Sequence, residues 1–330
     1  MTTFGTTTNF YGSKTRTVIQ AEVYNNKQET EWNQFLGQAK NGHFMFSRQY
    51  MEYHSDRFND HSLILREKNR ILALLPANRS ANKLISHQGL TFGGLVCGKK
   101  MTQSNMLECL KCVLLHAQEQ GVTQFDYKAL PYIYSSLPAQ EDLYAIARVG
   151  AKLFRRDVSS AIRLSDRIKY RSLKSRGIKK AISAGVVVKE MPLDEFWPIL
   201  TLVLESQHET KPVHTLEEIR LLQERFPKNI ECRGAYLDGQ PVAGTLLFVS
   251  GPVAHTQYLA SSDLGRESSA LDLAIDQSIE EFTNRGFEYF NFGISTEDQG
   301  RVLNEGLVFH KEGFGARSVC HDHYSIELPG

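Results

Sequence analysis

Three stretches of this 330-residue chain carry side chains able to do chemistry. The first is Ser86-His87-Gln88-Gly89-Leu90-Thr91-Phe92-Gly93-Gly94, which follows a strand-like segment. Its glycines let a backbone approach a ligand closely, and His87, Gln88 and Thr91 offer hydrogen bonds; the same composition also suits a structural turn. The second, Ser165 to Gly185, holds Arg167, Lys169, Arg171, Lys174, Arg176, Lys179 and Lys180 with few acids. It reads either as a phosphate-binding surface, with Arg176 and Lys180 as contacts, or as a solvated helix face. The third, Cys320-His321-Asp322-His323, offers zinc donors. Alternation on a terminal strand would turn His321 and His323 to one face with no third ligand near in sequence, so no metal is expected. Cys109 and Cys112 form a lone C-x-x-C inside a helical pattern and read as buried thiols.

Composition narrows the partners. Lysine plus arginine number 38 and aspartate plus glutamate 37, so no global charge draws the chain to a polyanion and DNA is not expected. The cysteines are odd in number and scattered, as in a reducing compartment, and no apolar run approaches the ~20 residues of a membrane span. Met1 to Thr17 lacks the pattern of a signal peptide and reads as a disordered tail. A cytoplasmic protein is expected.

Elements must position these groups, and they repeat. Trp32 and Trp197, and Gly121 and Gly286, are each 165 positions apart, half the chain length. A hairpin turning near Lys68-Asn69 has a counterpart turning at Asp238-Gly239. Each unit reads as helix, hairpin, further strand, long helix and strand, an α/β (α+β) arrangement with mixed sheets flanked by helices. In the second unit the third strand is Val253 to Ala260, the helix Ser269 to Asn284, and the last strand Glu288 to Phe292. The expected units are 18–164 and 186–330, with a basic inter-unit helix at 165–185.

Three motifs in order carry a family resemblance: Arg176-Gly177-Ile178-Lys179-Lys180-Ala181, then Phe290-Asn291-Phe292-Gly293, then Asn304-Glu305-Gly306-Leu307-x-Phe309 with Lys311-Glu312-Gly313-Phe314-Gly315. Together they resemble the Fem aminoacyltransferases and their acetyltransferase relatives of surface-polysaccharide loci, whose chains hold two GNAT-like domains. That family places a phenylalanine directly before the lysine, where this chain has His310 and keeps Phe309 one place earlier. The long charged helical hairpin that some members use for transfer RNA is missing.

The resemblance implies an N-acyltransferase acting on an amine of a cell-envelope precursor, such as an amino sugar or peptide carried on a nucleotide or lipid. Its co-substrate would be an acyl-CoA or an aminoacyl-tRNA, with no tightly bound cofactor, and the chain would be cytoplasmic or peripheral at the inner membrane. The donor would enter between the parting strands Val253–Ala260 and Glu288–Phe292. Its phosphates would meet Arg266, Ser268, Ser269 and Ala270, where Gly265-Arg266-Glu267-Ser268-Ser269-Ala270 replaces the usual glycine-rich loop. Lys311 would stand near the reacting carbonyl, and Tyr258, His255, Asp263 or His310 would take the amine proton. The competing reading is a binding or scaffold protein that kept the fold and lost catalysis.

Overall fold

The computed structural model describes residues 19–208 and 210–329; the expected tail, residues 1–17, lies outside them. In each half an amphipathic helix leads into a β-hairpin. Glu29–Gln38 buries Trp32, and Leu193–His208 buries Trp197. The second hairpin, Ile230–Leu237 with Gln240–Ser250, turns at Asp238 (φ 50°) and Gly239 (φ 78°). Two left-handed residues are what a two-residue turn needs to follow the twist of its strands.

A third strand then runs parallel to the one that follows the long helix. Lys83–Ile85 lies beside Gln124–Lys128, and Val253–Ser261 beside Tyr289–Ile294. Parallel neighbours require a crossover, which the helices Gln103–Glu119 and Ala270–Asn284 supply. In the first half the hairpin Leu63–Glu67 with Arg70–Leu75 splits off into a small antiparallel sheet of its own.

The halves exchange their last strands. Lys152–Arg163 ends the first half in sequence but pairs with Tyr289–Ile294 of the second. Arg317–Glu327 ends the second and pairs with Gln124–Lys128 of the first. These two long strands also pair with each other, from Arg317↔Ala161 to Ser325↔Lys152. An 11-stranded mixed sheet therefore runs continuously across both halves.

Packing follows the same plan. One apolar cluster joins Trp32, Phe46 and Phe92 of the first half to Phe196, Trp197 and Phe248 of the second. At about 1.5–3 kcal/mol per fully buried large apolar side chain, this shared core holds the junction as packed interior. Separate clusters lie under Gln103–Glu119 and under Ala270–Asn284. The basic stretch forms the helix Ser172–Ser183. No helix among the described residues is long and apolar enough to cross a membrane.

Candidate active site

The strands Val253–Ser261 and Tyr289–Ile294 stay in parallel register from Val253↔Tyr289 to His255↔Asn291 and then part. On the opposite edge of Val253–Ser261 the register slips, with Tyr258 facing Leu246 and Thr256 facing Leu247. Gln257 is thus the extra residue of a β-bulge, left out of the ladder. The bulge also breaks the alternation of side chains. Ala254 and Leu259 pack under Ala270–Asn284, while Val253, Tyr258 and Ala260 pack into the junction. Gln257 turns to the junction as well, so two consecutive residues, Gln257 and Tyr258, face the junction where a regular strand would offer one.

Gln257 lines a pocket of about 220 Å³. The first half contributes Tyr50, Tyr53, Gln88 and Thr91 to its wall, the second His214 and Gln257. His214 stacks on Tyr53 and sets its Nδ1 2.8 Å from the Tyr258 hydroxyl, which also accepts from the His214 backbone N–H at 3.4 Å. Burial pushes the imidazole down to about 4, so it is neutral at pH 7. Tyr258 fixes the ring from behind.

Beside the pocket, where the strands part, lies a buried polar network built from both halves. Asn291 donates to the Tyr134 hydroxyl at 2.8 Å and accepts from Ser159 Oγ at 2.7 Å and from the Gly293 backbone N–H at 3.2 Å. Tyr134 is also 3.3 Å from His255 Nδ1. Burial, reinforced by His321 and Lys311, pushes His255 down to about 3. Lys311 closes the network, its Nζ donating to Gly293 O at 2.9 Å, Ile294 O at 2.7 Å and Ser295 Oγ at 2.8 Å. It is 2% exposed, and burial brings its ammonium down to about 7. Its three protons are all committed to protein acceptors.

Residues 169–299 match the family model described as an acetyltransferase (GNAT) domain. Among solved structures, FemX superposes with a TM-score of 0.66 at 11% identity, covering 94% of this chain and 97% of its own. The C-terminal domain of a putative lysylphosphatidylglycerol synthetase from Agrobacterium fabrum gives 0.60 at 13% identity, covering 92% of each chain. A tandem GNAT protein from the clavulanic acid biosynthesis pathway gives 0.53 at 12% identity, over 94% of this chain and 99% of that one. No curated protein matches the sequence.

Residues 169–299 thus resemble a GNAT acetyltransferase domain, and the chain as a whole has a Fem-like fold.

Within this GNAT fold the expected donor-phosphate residues take other places. Residues 263–268 form a short helix capped by Ser262, where the sequence reading expected an open loop. Ser268 is buried and donates to Leu264 O and Gly265 O of that helix; Ala270 is wholly buried. Arg266 donates to Ser261 O at 2.8 Å and pairs with Asp263. Ser269 stands at the start of Ala270–Asn284 with φ 60° and makes no side-chain cap. That helix end is roofed by the basic helix: a Cβ on Gly177 would come within 2.5 Å of Asp272 Oδ2 and 3.4 Å of Ser269 Cβ. Lys174 Nζ seals it, 2.7 Å from Asp272 Oδ1 and 2.9 Å from His310 Nδ1.

His310 therefore serves Lys174 and not the parting strands. Phe309 points outward under Arg171. Arg176 and Lys180 are exposed on the basic helix, away from the pocket wall. His87 is 2% exposed at φ 66° and packs on His54, with centroids 5.2 Å apart. It supports the turn that brings Gln88 and Thr91 to the pocket, and Lys128 Nζ pins the same turn through the carbonyls of His87, Gln88 and Leu90. The segment Ser86–Gly94 thus forms a structural turn and lines the pocket through Gln88, Gly89, Leu90 and Thr91. The structure brings Gln88, Thr91 and, through His214, Tyr258 together at one pocket. His214, Tyr134 and Asn291 were missed as functional candidates: His214 stands in a connector ahead of the capping box Thr215–Glu218, with no periodic pattern to mark it.

Proposed function

We propose that the chain transfers an acyl group to the primary amine of a cell-envelope precursor, such as an amino sugar or a peptide, in the cytoplasm. The acyl carbonyl lies between the parting strands beside the bulge at Gln257, and the amine lies in the pocket shared by the two units, 18–164 and 186–330. The observation that carries this reading is the bulge. It turns Gln257 into a pocket whose far wall belongs to the other unit and sets the next residue, Tyr258, against His214 of the same pocket.

The pocket suits the acceptor's end group. A volume of about 220 Å³ admits one sugar ring or a short amino chain, so a nucleotide or lipid carrier would remain outside. Its wall is aromatic and neutral, with amides and a hydroxyl for hydrogen bonds. As the amine attacks, the new nitrogen–carbon bond forms and the nitrogen becomes acidic. His214 takes that proton in the tautomer whose Nδ1–H is directed at the Tyr258 hydroxyl, which leaves Nε2 as the bare acceptor. The carbonyl–donor bond then breaks, and the departing sulfur or oxygen takes up, by way of His214 or solvent, the proton the amine lost, releasing a thiol from an acyl-CoA or a ribose hydroxyl from an aminoacyl-tRNA.

The donor's phosphates find no free helix end at Ala270–Asn284, which Asp272, Lys174 and Gly177 close. We assign them to the exposed Arg176 and Lys180 on the roofing helix. The test is turnover of amino sugars and short peptides with acyl-CoA and with aminoacyl-tRNA, followed by mass spectrometry of the acceptor, for the parent and for Gln257→Ala, His214→Ala and R176A/K180A. An acylated amine lost in the first two variants, with weakened donor use in the third, supports the reading. Acyl transfer that is indifferent to Gln257 and His214 rules this pocket out.

A further inference from the structure

The surface beyond the parting strand departs from an ordinary solvated one. Val302 and Leu303, on a short hairpin, are 49% and 47% exposed, and Leu307 and Phe309, on the helix Glu305–Gly313, are 38% and 55% exposed. Ile168 and Leu173, at 44% and 53%, come from the segment entering the basic helix. That segment lies against the helix Glu305–Gly313: the Arg171 backbone N–H donates to Gly313 O at 2.8 Å, and the Arg171 guanidinium lies 4.5 Å over the Phe309 ring. Large apolar side chains exposed singly are normal, whereas a neighbouring group of this kind marks a contact surface.

Its charges are arranged with it. Arg167, Arg171 and Lys174 are paired with Glu280, Glu312 and Asp272. Lys169, Arg176, Lys179 and Lys180 are exposed and, among the described residues, have no acid within ion-pair distance. Acids on the neighbouring segment are Glu305, Glu297 and Asp298; Glu297 accepts from Asn304 and Asp298 pairs with Arg301. A nucleic acid would use the cations but gain nothing from Val302, Leu303 and Leu307. An anionic bilayer uses both, taking aliphatic and phenyl groups into the headgroup boundary while lysines meet lipid phosphates.

We propose that this face docks the chain on an anionic lipid bilayer. Because the hairpin follows Tyr289–Ile294 directly, docking sets the open end of the parting strands beside the membrane and any amine carried there; this last step rests on the acyltransferase reading, while the docking does not.

The experiment is co-sedimentation of the full chain with phosphatidylglycerol or phosphatidylcholine vesicles at low and high salt. The parent should bind phosphatidylglycerol, bind phosphatidylcholine weakly, and lose most binding in high salt. K169Q/K179Q, which spares the two cations assigned to the donor, should weaken binding roughly fivefold per residue removed. L303Q/F309Q should weaken it about tenfold or more, with thermal melting unchanged because both side chains are exposed. Vesicle binding that L303Q/F309Q leaves at the parent level overturns the proposal, and is the pattern expected of a purely electrostatic site for transfer RNA. Absence of vesicle binding together with self-association that L303Q/F309Q abolishes overturns it in favour of a second copy. Acylation of a soluble amine by L303Q/F309Q at the parent rate would show that failed docking and failed catalysis are separate results.

Discussion

The Tyr134 hydroxyl, from the first half, accepts a 2.8 Å hydrogen bond from Asn291 Nδ2, at the residue where the two strands of the second half part. The contact crosses the junction inside the protein, with Asn291 fully buried. Tyr134→Phe would leave that amide donor without its acceptor and His255 without its neighbour. We expect a loss of about 1–3 kcal/mol in urea unfolding and a lower turnover, since the parting of the strands is set there. Unchanged stability would mean that water replaces the hydroxyl at no cost.

Lys311 holds two carbonyls and a hydroxyl at the end of the same strand. Lys311→Met removes three donors at once and should cost several kcal/mol, on the order of 1–3 kcal/mol per acceptor left unpaired and buried. The expected loss of activity then follows from a misplaced strand end. A variant as stable as the parent but inactive would instead return Lys311 to direct stabilisation of the oxyanion, the role implied by the family resemblance.

His214 and Tyr258 should separate in kinetics. Removing the proton acceptor in His214→Ala should lower kcat by about 10²–10⁴. Tyr258→Phe keeps the imidazole and loses only its orientation, so a smaller loss is expected, with KM for the amine little changed. Equal and small effects on kcat in both variants would remove His214 from proton transfer.

Acid should unfold the chain above the carboxylate range. Burial holds His43, His87, His255 and His310 at about 3 and His54, His214, His321 and His323 at about 4 in the folded state. Unfolded histidines take up protons below about 6.5. The unfolded chain therefore binds more protons as pH falls from about 6.5 to about 4, and each such histidine removes up to about 1.4 kcal/mol per pH unit. Urea midpoints at pH 7.5 and pH 5.5 should differ markedly, and the midpoint should rise further between pH 7.5 and pH 8.5 as the buried Lys311 and Lys128, held at about 7 and about 8, lose their protons in the folded chain. A midpoint equal at pH 7.5 and 5.5 would show that these rings are hydrated or exchange readily.

Much of the fold was legible because its signals are local. Asp238-Gly239 specifies its turn, and Gly121 and Gly286, at φ 70° and 80°, end the two long helices at matching places in the repeat. The exchanged strands were not legible: alternation in Arg317–Glu327 gives the face of His321 and His323 but not which strand lies alongside. The short helix Asp263–Ser268 was read as a loop because six residues carry no period. Gln88, Thr91 and Tyr258 could be marked from residue type and strand order. His214 could not, since only the packed junction brings its connector to the pocket. Lys311 was found by motif, but which acceptors take its protons depends on where a strand 16 to 18 residues earlier comes to rest.

The exchange of last strands sets the order of events during synthesis. Gln124–Lys128 emerges from the ribosome early, yet its neighbour Arg317–Glu327 is made roughly 150 residues after Lys152–Arg163 is complete. At 5–20 residues per second that gap lasts about 8–30 s, during which both Gln124–Lys128 and Lys152–Arg163 present an unpaired edge. Neither half can close its part of the sheet alone, so the nascent chain depends on delayed closure or on a chaperone to cover those edges until its last strand arrives.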